Sequence, residues 1–315
     1  MTRFAARAAT LFALLSTVAL AAGAQDAGKM PKRPKPERDA ELRDENDWRA
    51  YFECGQTAKH LDRAYDCFYW ATRLDPARPE PRYAQWWLSD GKDTSAHRAA
   101  LYIDPFMYQG RVLFIEARPA GMWVNNQRKA WDALRAGRYF EASNTFAKYV
   151  ASKPNDLDAR WGFAIAYYYR SLFDSSAAQL RRLEERLRRE QKERLLNVYR
   201  STEFVNYMEA AAMVAGGRRD SARASLERAL TENLAFYPAH MQLADLDLDA
   251  GDTAAAAQHW AQARELYGAD VVARRRYALF LLRTGHAAEA ETELRAVLAA
   301  EPYWVDAHAD LAAAI

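Results

Sequence analysis

The chain has 315 residues, half of them apolar and 27% charged, which excludes a globally disordered polymer and allows a packed core. There are 44 basic and 42 acidic side chains. Residues 1–24 carry Arg3 and Arg7 and no acid, so the remainder balances at 42 of each, and a neutral body argues against a general nucleic-acid binder. Thirteen glycines and eleven prolines are too few for a β-rich chain of many turns. Alanine, leucine, arginine and glutamate dominate instead, which is a helical composition. Length alone allows two domains of about 150 residues or one elongated array.

Residues 1–24 have the layout of a secretory signal. Arg3 and Arg7 make a positive start, Ala8 to Ala22 is an apolar stretch, and Ala22-Gly23-Ala24 supplies small residues before a cleavage site. Cleavage after Ala24 is expected, with export to the periplasm or the cell exterior. The apolar stretch of 15 residues is short of the ~20 that span a bilayer, so no stable membrane insertion is expected once the signal is removed.

Residues 25–47 read as a linker. Lys29, Lys32, Arg33, Lys35 and Arg38 crowd around Pro31, Pro34 and Pro36, and the acids Asp39, Glu41, Asp44, Glu45 and Asp47 come after them. Proline and charge together leave nothing to pack. Such a tether either touches an anionic lipid or cell-wall surface or simply solubilises the helical region beyond it.

Residues 48–122 read as irregular helical repeats. The pattern predicts antiparallel helices over 48–58 and 62–74, with the turn near His60 and Leu61. Cys54 and Cys67, the two cysteines of the chain, then lie level across the hairpin. In an oxidising compartment that placement predicts a disulfide. Leu74-Asp75-Pro76 and Ile103-Asp104-Pro105 repeat one kind of helix ending, and Gly91-Lys92 divides 80–90 from 93–103. Residues 106–122 fit no repeat and suggest a loop over the array.

Residues 123–315 keep a period of 34. Gly217, Gly251 and Gly285 are each followed five residues later by Ala222, Ala256 and Ala290. Ala244, Ala278 and Ala312 keep the same spacing, as do Leu243, Tyr277 and Leu311, then His240, Arg274 and His308, and Leu226, Trp260 and Leu294. Residues 123–156 match through Ala130, Gly137, Ala142, Phe146 and Pro154. In the next unit Ser171 takes the glycine place, and its distance to Gly217 is 46 residues. The extra residues fall in 181–194, where Glu184–Arg188 and Glu185–Arg189 sit at helical spacing, so a lengthened helix is predicted near 177–200.

One such unit is a helical hairpin. Glycine ends its first helix, alanines let the two helices approach, and a larger residue fills the space beside them. A single hairpin cannot bury its apolar face alone, so neighbours stack. The pattern resembles the tetratricopeptide repeat (TPR) family, in an exported bacterial form. The resemblance implies an all-α fold, a right-handed superhelix of stacked antiparallel hairpins, or α-solenoid.

No metalloprotease, nucleophile-elbow, phosphate-loop or four-cysteine pattern is present, so no enzyme, no cofactor and no metal site is expected. Asp245, Asp247 and Asp249 resemble the start of a calcium loop, but Ala250 and Ala256 stand where it needs glycine and glutamate. The family resemblance implies a concave groove lined by fixed positions of each first helix. Here these include Gln127, Trp131, Leu134 and Arg135, then Trp161, Ile165, Tyr168 and Tyr169, then Phe204, Tyr207 and Val214. The later repeats add Met241, Asp245, Asp249, Arg275, Leu279 and Arg283. Aromatics and arginine dominate binding hot spots. The partner-binding candidates are therefore Trp131, Arg135, Trp161, Ile165, Tyr168, Tyr169, Tyr207, Arg275 and Arg283. The family's lysine and asparagine clamp for a terminal carboxylate is absent.

The implied function is a non-enzymatic protein–protein interaction scaffold of the cell envelope, holding a peptide or a partner protein. Two alternatives stand beside it. Aromatic platforms also stack on sugars, which suits a carbohydrate- or peptidoglycan-binding accessory module. The chain ends at Ile315 one helix into a further repeat, which suits a self-assembling homo-oligomer.

Overall fold

Columns of alanine and glycine dictate a series of helical hairpins. The computed structural model describes residues 30–35, 46–112, 127–190 and 201–315, in a chain that divides into the units Met1–Arg33 and Pro34–Ile315. The secretory signal and most of the linker lie outside the described residues. So do the end of the expected loop over the array and the end of the lengthened helix.

The second unit is helical throughout its described residues. In chain order the elements are α1 (Trp48–Thr57), α2 (Leu61–Leu74), α3 (Pro79–Leu88), α4 (Thr94–Ile103), a 3-10 turn (Gln109–Val112), α5 (Arg128–Arg135) and α6 (Tyr139–Ser152). They continue with α7 (Leu157–Tyr168), α8 (Phe173–Glu190), α9 (Thr202–Ala215), α10 (Arg219–Glu232), α11 (Tyr237–Asp249) and α12 (Thr253–Leu266). The last are α13 (Val271–Arg283), α14 (Ala287–Ala300) and α15 (Val305–Ala314). Each odd helix up to α13 pairs with the even helix after it, and hairpins stack on their neighbours except where the 3-10 turn lies between α3 and α5. These stacked hairpins form an α-solenoid.

Each hairpin is built by the residues that set the period. Gly137, Gly217, Gly251 and Gly285 turn the chain with φ between 71° and 84°, a conformation that glycine adopts without strain. Ser171, in the glycine place of its repeat, is held at φ 58°. Ala142, Ala222, Ala256 and Ala290 are fully buried where the second helix meets the first, and Leu226, Trp260 and Leu294 fill the space beside them. Asp47, Asp93, Asp156, Asp252 and Asp270 each cap the next helix by accepting backbone N–H bonds, which satisfies donors the helix cannot. α8 runs for 18 residues where α6 and α10 run for 14.

A second register mark was not evident in the sequence. In α3, α7, α11 and α15 the fourth residue reaches back to a carbonyl six residues upstream. His240 and His308 do this through Nε2, to Leu234 O (3.1 Å) and Pro302 O (3.0 Å). Arg82 and Arg160 do it to Pro76 O (3.1 Å) and Pro154 O (2.9 Å). Histidine and arginine share the task because each carries an N–H donor on a side chain long enough to span the turn between hairpins.

The array does not stay open. The first hairpins fold back onto the last repeats: Trp70 meets Tyr303 edge-on at 5.3 Å, Arg73 pairs with Glu301 at 3.0 Å, and Ala77 packs on the cluster of Val297, Trp304 and Ala307. The Cys54–Cys67 disulfide ties α1 to α2 at a Cα separation of 5.8 Å, with α1 and α2 close to the predicted bounds. Within the same region His97 is buried, stacked on Trp86 at 4.0 Å, and burial pushes its pKa down to about 4.

Both the cross-link and the buried histidine bear on stability. Replacing Cys54 and Cys67 together by alanine should cost about 2–3 kcal/mol, since the bond closes a short loop. A urea midpoint unchanged between the variant and the oxidised protein would contradict this. His97 is neutral in the folded chain and protonates near its ordinary pKa of 6.5 when unfolded. Its contribution is present above pH 6.5 and is lost as pH falls towards 4, with a slope of up to about 1.4 kcal/mol per pH unit. Urea titrations of the protein and of His97→Phe across that window measure the difference.

Candidate interaction surface

The positions expected to line a groove lie on or beside the first helices α5, α7, α9, α11 and α13, and their earlier, aromatic half and later half have different surroundings. The aromatic half is occupied by the chain itself. Residues 102–112, from the end of α4 through the 3-10 turn, run along it and bury Phe106, Met107 and Tyr108. Phe106 lies flat on Tyr168 at 3.7 Å with an interplanar angle of 5°. Tyr108 donates its hydroxyl to Leu134 O (3.1 Å), and Tyr207 donates to Tyr102 O (3.0 Å).

Arg111 fastens the end of this segment. Its guanidinium donates to Tyr169 Oη (2.8 Å) and Glu80 Oε1 (3.0 Å) and lies 3.5 Å from Asp104. Tyr169 in turn donates to Phe106 O (3.3 Å) and stacks on Tyr139 at 5.1 Å. The approach is so close that a Cβ on Gly110 would sit 2.7 Å from Arg135 Cα. Only glycine fits there.

The predicted positions separate into buried, covered and accessible ones. Trp131, Trp161, Ile165 and Tyr207 are buried. Trp131 packs edge-on against Phe146 and lies 5.7 Å from Trp161, and its indole donates to Gln127 (3.0 Å). Arg135 pairs with Asp132 on its own helix, and burial pushes its pKa down. Tyr168 and Tyr169 are half-buried beneath residues 104–112. Burial also raises the pKa of Tyr207 to about 12, so its hydroxyl stays protonated and donating. Arg275 stacks over Trp304 at 4.9 Å and pairs with Asp310 at 2.5 Å. Arg283 is exposed and lies 4.0 Å from Asp249.

The other half remains open as a cavity of about 460 Å³ between Tyr102, Tyr207, Val214, Met241 and Trp304. Its walls carry Asp245, Asp249, Arg275 and Arg276. Arg276 pairs with Asp245, while Asp249 lies between Arg219 (3.3 Å) and Arg283 (4.0 Å). The three alternating aspartates thus serve different partners, since Asp247 is buried against Arg223 and lies 3.7 Å from His259. Sequence reasoning missed Arg276 because it carried over one fixed phase, and Arg275 held that phase. Among the described residues no group of three His, Cys, Asp or Glu side chains is placed to hold a metal ion, and no helix is long and apolar enough to cross a membrane.

No family model and no curated protein matches the chain. Solved structures do. One is PilW, titled a widely conserved type IV pilus biogenesis factor, at 16% identity over 74% of this chain and 95% of that one, with a TM-score of 0.46. A tetratricopeptide repeat protein from Parabacteroides merdae matches at 14% identity over 81% and 92%, with a TM-score of 0.43. MamA matches at 15% identity over 56% and 94%, also at 0.43. These are likenesses of fold.

If residues 102–112 hold the aromatic half together, Phe106→Ala should cost about 3–5 kcal/mol. It should also speed hydrogen exchange in α5 and α7, which the segment covers. A loss below about 1 kcal/mol with unchanged exchange would show that the segment rests there without supporting the fold.

Proposed function

We propose that the protein is a non-enzymatic interaction scaffold of the cell envelope, which holds a peptide segment of a partner protein against the open half of its concave face. The observation that carries this reading is the 460 Å³ cavity, with an apolar floor of tyrosine, methionine and tryptophan and walls of paired arginine and aspartate. Concave, mostly apolar sites with a few convergent polar groups are where ligands bind. Arg275, Arg276 and Arg283 form the polar contacts in this reading, and Tyr207 lies in the floor. Arg135, Tyr168 and Tyr169 form the seat for residues 104–112, and Trp131, Trp161 and Ile165 are buried in the core. Export through the signal of residues 1–24 belongs to the same reading, and the disulfide suits an oxidising compartment.

A photo-crosslinking amino acid placed at Val214, which lines the cavity and is 41% exposed, should capture a discrete polypeptide in intact cells. Replacing Arg276 and Arg283 together by alanine should weaken that partner's affinity about thirty-fold while far-UV circular dichroism is unchanged. Capture of glycan strands alone, or unaltered affinity in the double variant, would overturn the assignment.

A further inference from the structure

Beyond the wall formed by Tyr102 and Tyr237 lies a second cavity, of about 590 Å³, at the seam where α2, α3 and α4 meet the last repeats. Its charged lining consists of Arg73, Arg82 and Arg98 against Asp93, Asp270 and Glu301. The three carboxylates are already engaged. Asp93 caps α4 and accepts from Ser95 Oγ (2.6 Å) and Ala96 N (3.0 Å). Asp270 caps α13 and accepts the Tyr237 hydroxyl (2.7 Å). Glu301 pairs with Arg73.

Arg82 stands apart from its counterparts in the other repeats. Arg160 makes the same reach-back bond and completes its donors on Gln179 (3.0 Å), and Arg274 pairs with Glu293 (3.3 Å). Arg82 donates Nε to Pro76 O, and its two Nη groups meet no acceptor among the described residues. Arg98 lies exposed at the mouth and has neither a hydrogen bond nor an ion pair among them. Burial pushes the Arg82 pKa down, against the pull of Asp270, Glu301 and Asp93. A guanidinium carries five donors, and those of half-buried Arg82 that lack an acceptor border the cavity.

We propose that this seam cavity binds a singly charged carboxylate, with Arg82 holding it from inside and Arg98 closing on it from the mouth. The planar fork of arginine matches a carboxylate in bidentate geometry. The charge count selects the monoanion. Three arginines and three acids leave the lining neutral, so a carboxylate brings the site to one negative charge and a phosphate dianion brings it to two. A chain terminus, an acidic side chain and a free organic acid all present this chemistry. Tyr102, Tyr237 and Asp270 border both cavities, but the arginines of the seam, on α2, α3 and α4, line only this one, and the proposal does not depend on what the concave cavity holds.

Trifluoroacetate, followed by 19F NMR on the full chain at constant ionic strength, is a direct probe. Saturable line broadening is expected, displaced by acetate at concentrations where inorganic phosphate at pH 8 is at least tenfold less effective. Arg82→Met should abolish it. Arg98→Met, at an exposed position that cannot unfold the protein, should weaken it at least threefold. Displacement by N-acetylalanine would point to a chain terminus, and displacement by N-acetylaspartamide to an acidic side chain. Broadening that does not saturate, persists in Arg82→Met, is unchanged in Arg98→Met or yields to phosphate more readily than to acetate would overturn the proposal. Capture through Val214 should persist in Arg98→Met, which separates failure here from failure of the concave-face reading.

Discussion

A helical hairpin exposes an apolar face that only another hairpin can cover, and an array of hairpins therefore has two uncovered ends. In this chain the first hairpins meet residues 297–307 of the last described repeats. Trp70, Leu74 and Tyr51 form one small core that Tyr303 joins, and Val297, Trp304 and Ala307 form another that Ala77 joins. Full burial of a large apolar side chain stabilises by about 1.5–3 kcal/mol, so a handful of residues at this seam is enough to hold the coil closed. α4 ends at Ile103, just before Pro105, which cannot continue a helix. That delivers Asp104-Pro105-Phe106-Met107-Tyr108 to the inner face of α5 and α7.

The consequence is a division of labour among the polar groups. Glu209 is almost wholly buried and receives both Arg181 and Arg228 at 2.6 Å. Removing either arginine leaves a buried charge half-compensated, so this network belongs to the fold. The pairs around the open cavity are different. Asp245 and Asp249 each keep 45% of the side-chain surface exposed, and Arg283 keeps 60%. Pairs as wet as these contribute about 0–1 kcal/mol each. They can be exchanged for contacts to a partner at little cost to stability, which is what an interaction surface requires.

The repeat was legible because period, glycine turns and alanine contacts are local, and each hairpin states them again. The contents of the groove were not. Assigning groove residues by helix position presumes an empty groove, and nothing in the first helices of the repeats reveals what lies over them. The signal lay elsewhere, in residues 106–122, which fit no repeat. An apolar run such as Phe106-Met107-Tyr108 must be buried somewhere, and the unfilled aromatic face of α5 and α7 is where it goes. Likewise His240 and His308 were legible as equivalent positions. Their shared bond to a carbonyl upstream was not, because Arg82 and Arg160 do the same work with a different side chain.

The disulfide acquires its meaning from closure. α2 stacks on α3 on one side, and on the other the same hairpin offers Trp70 to Tyr303. A hairpin that must keep two faces in register at once gains more from a cross-link than one held between like neighbours, because its ends are otherwise free to fray. Cys54 and Cys67 join its two helices near mid-length, directly behind Phe68, whose ring packs so tightly on Gly55 that a Cβ there would lie 2.6 Å away. The bond is thus placed where it stiffens the element on which both the seam and the filled half of the groove depend.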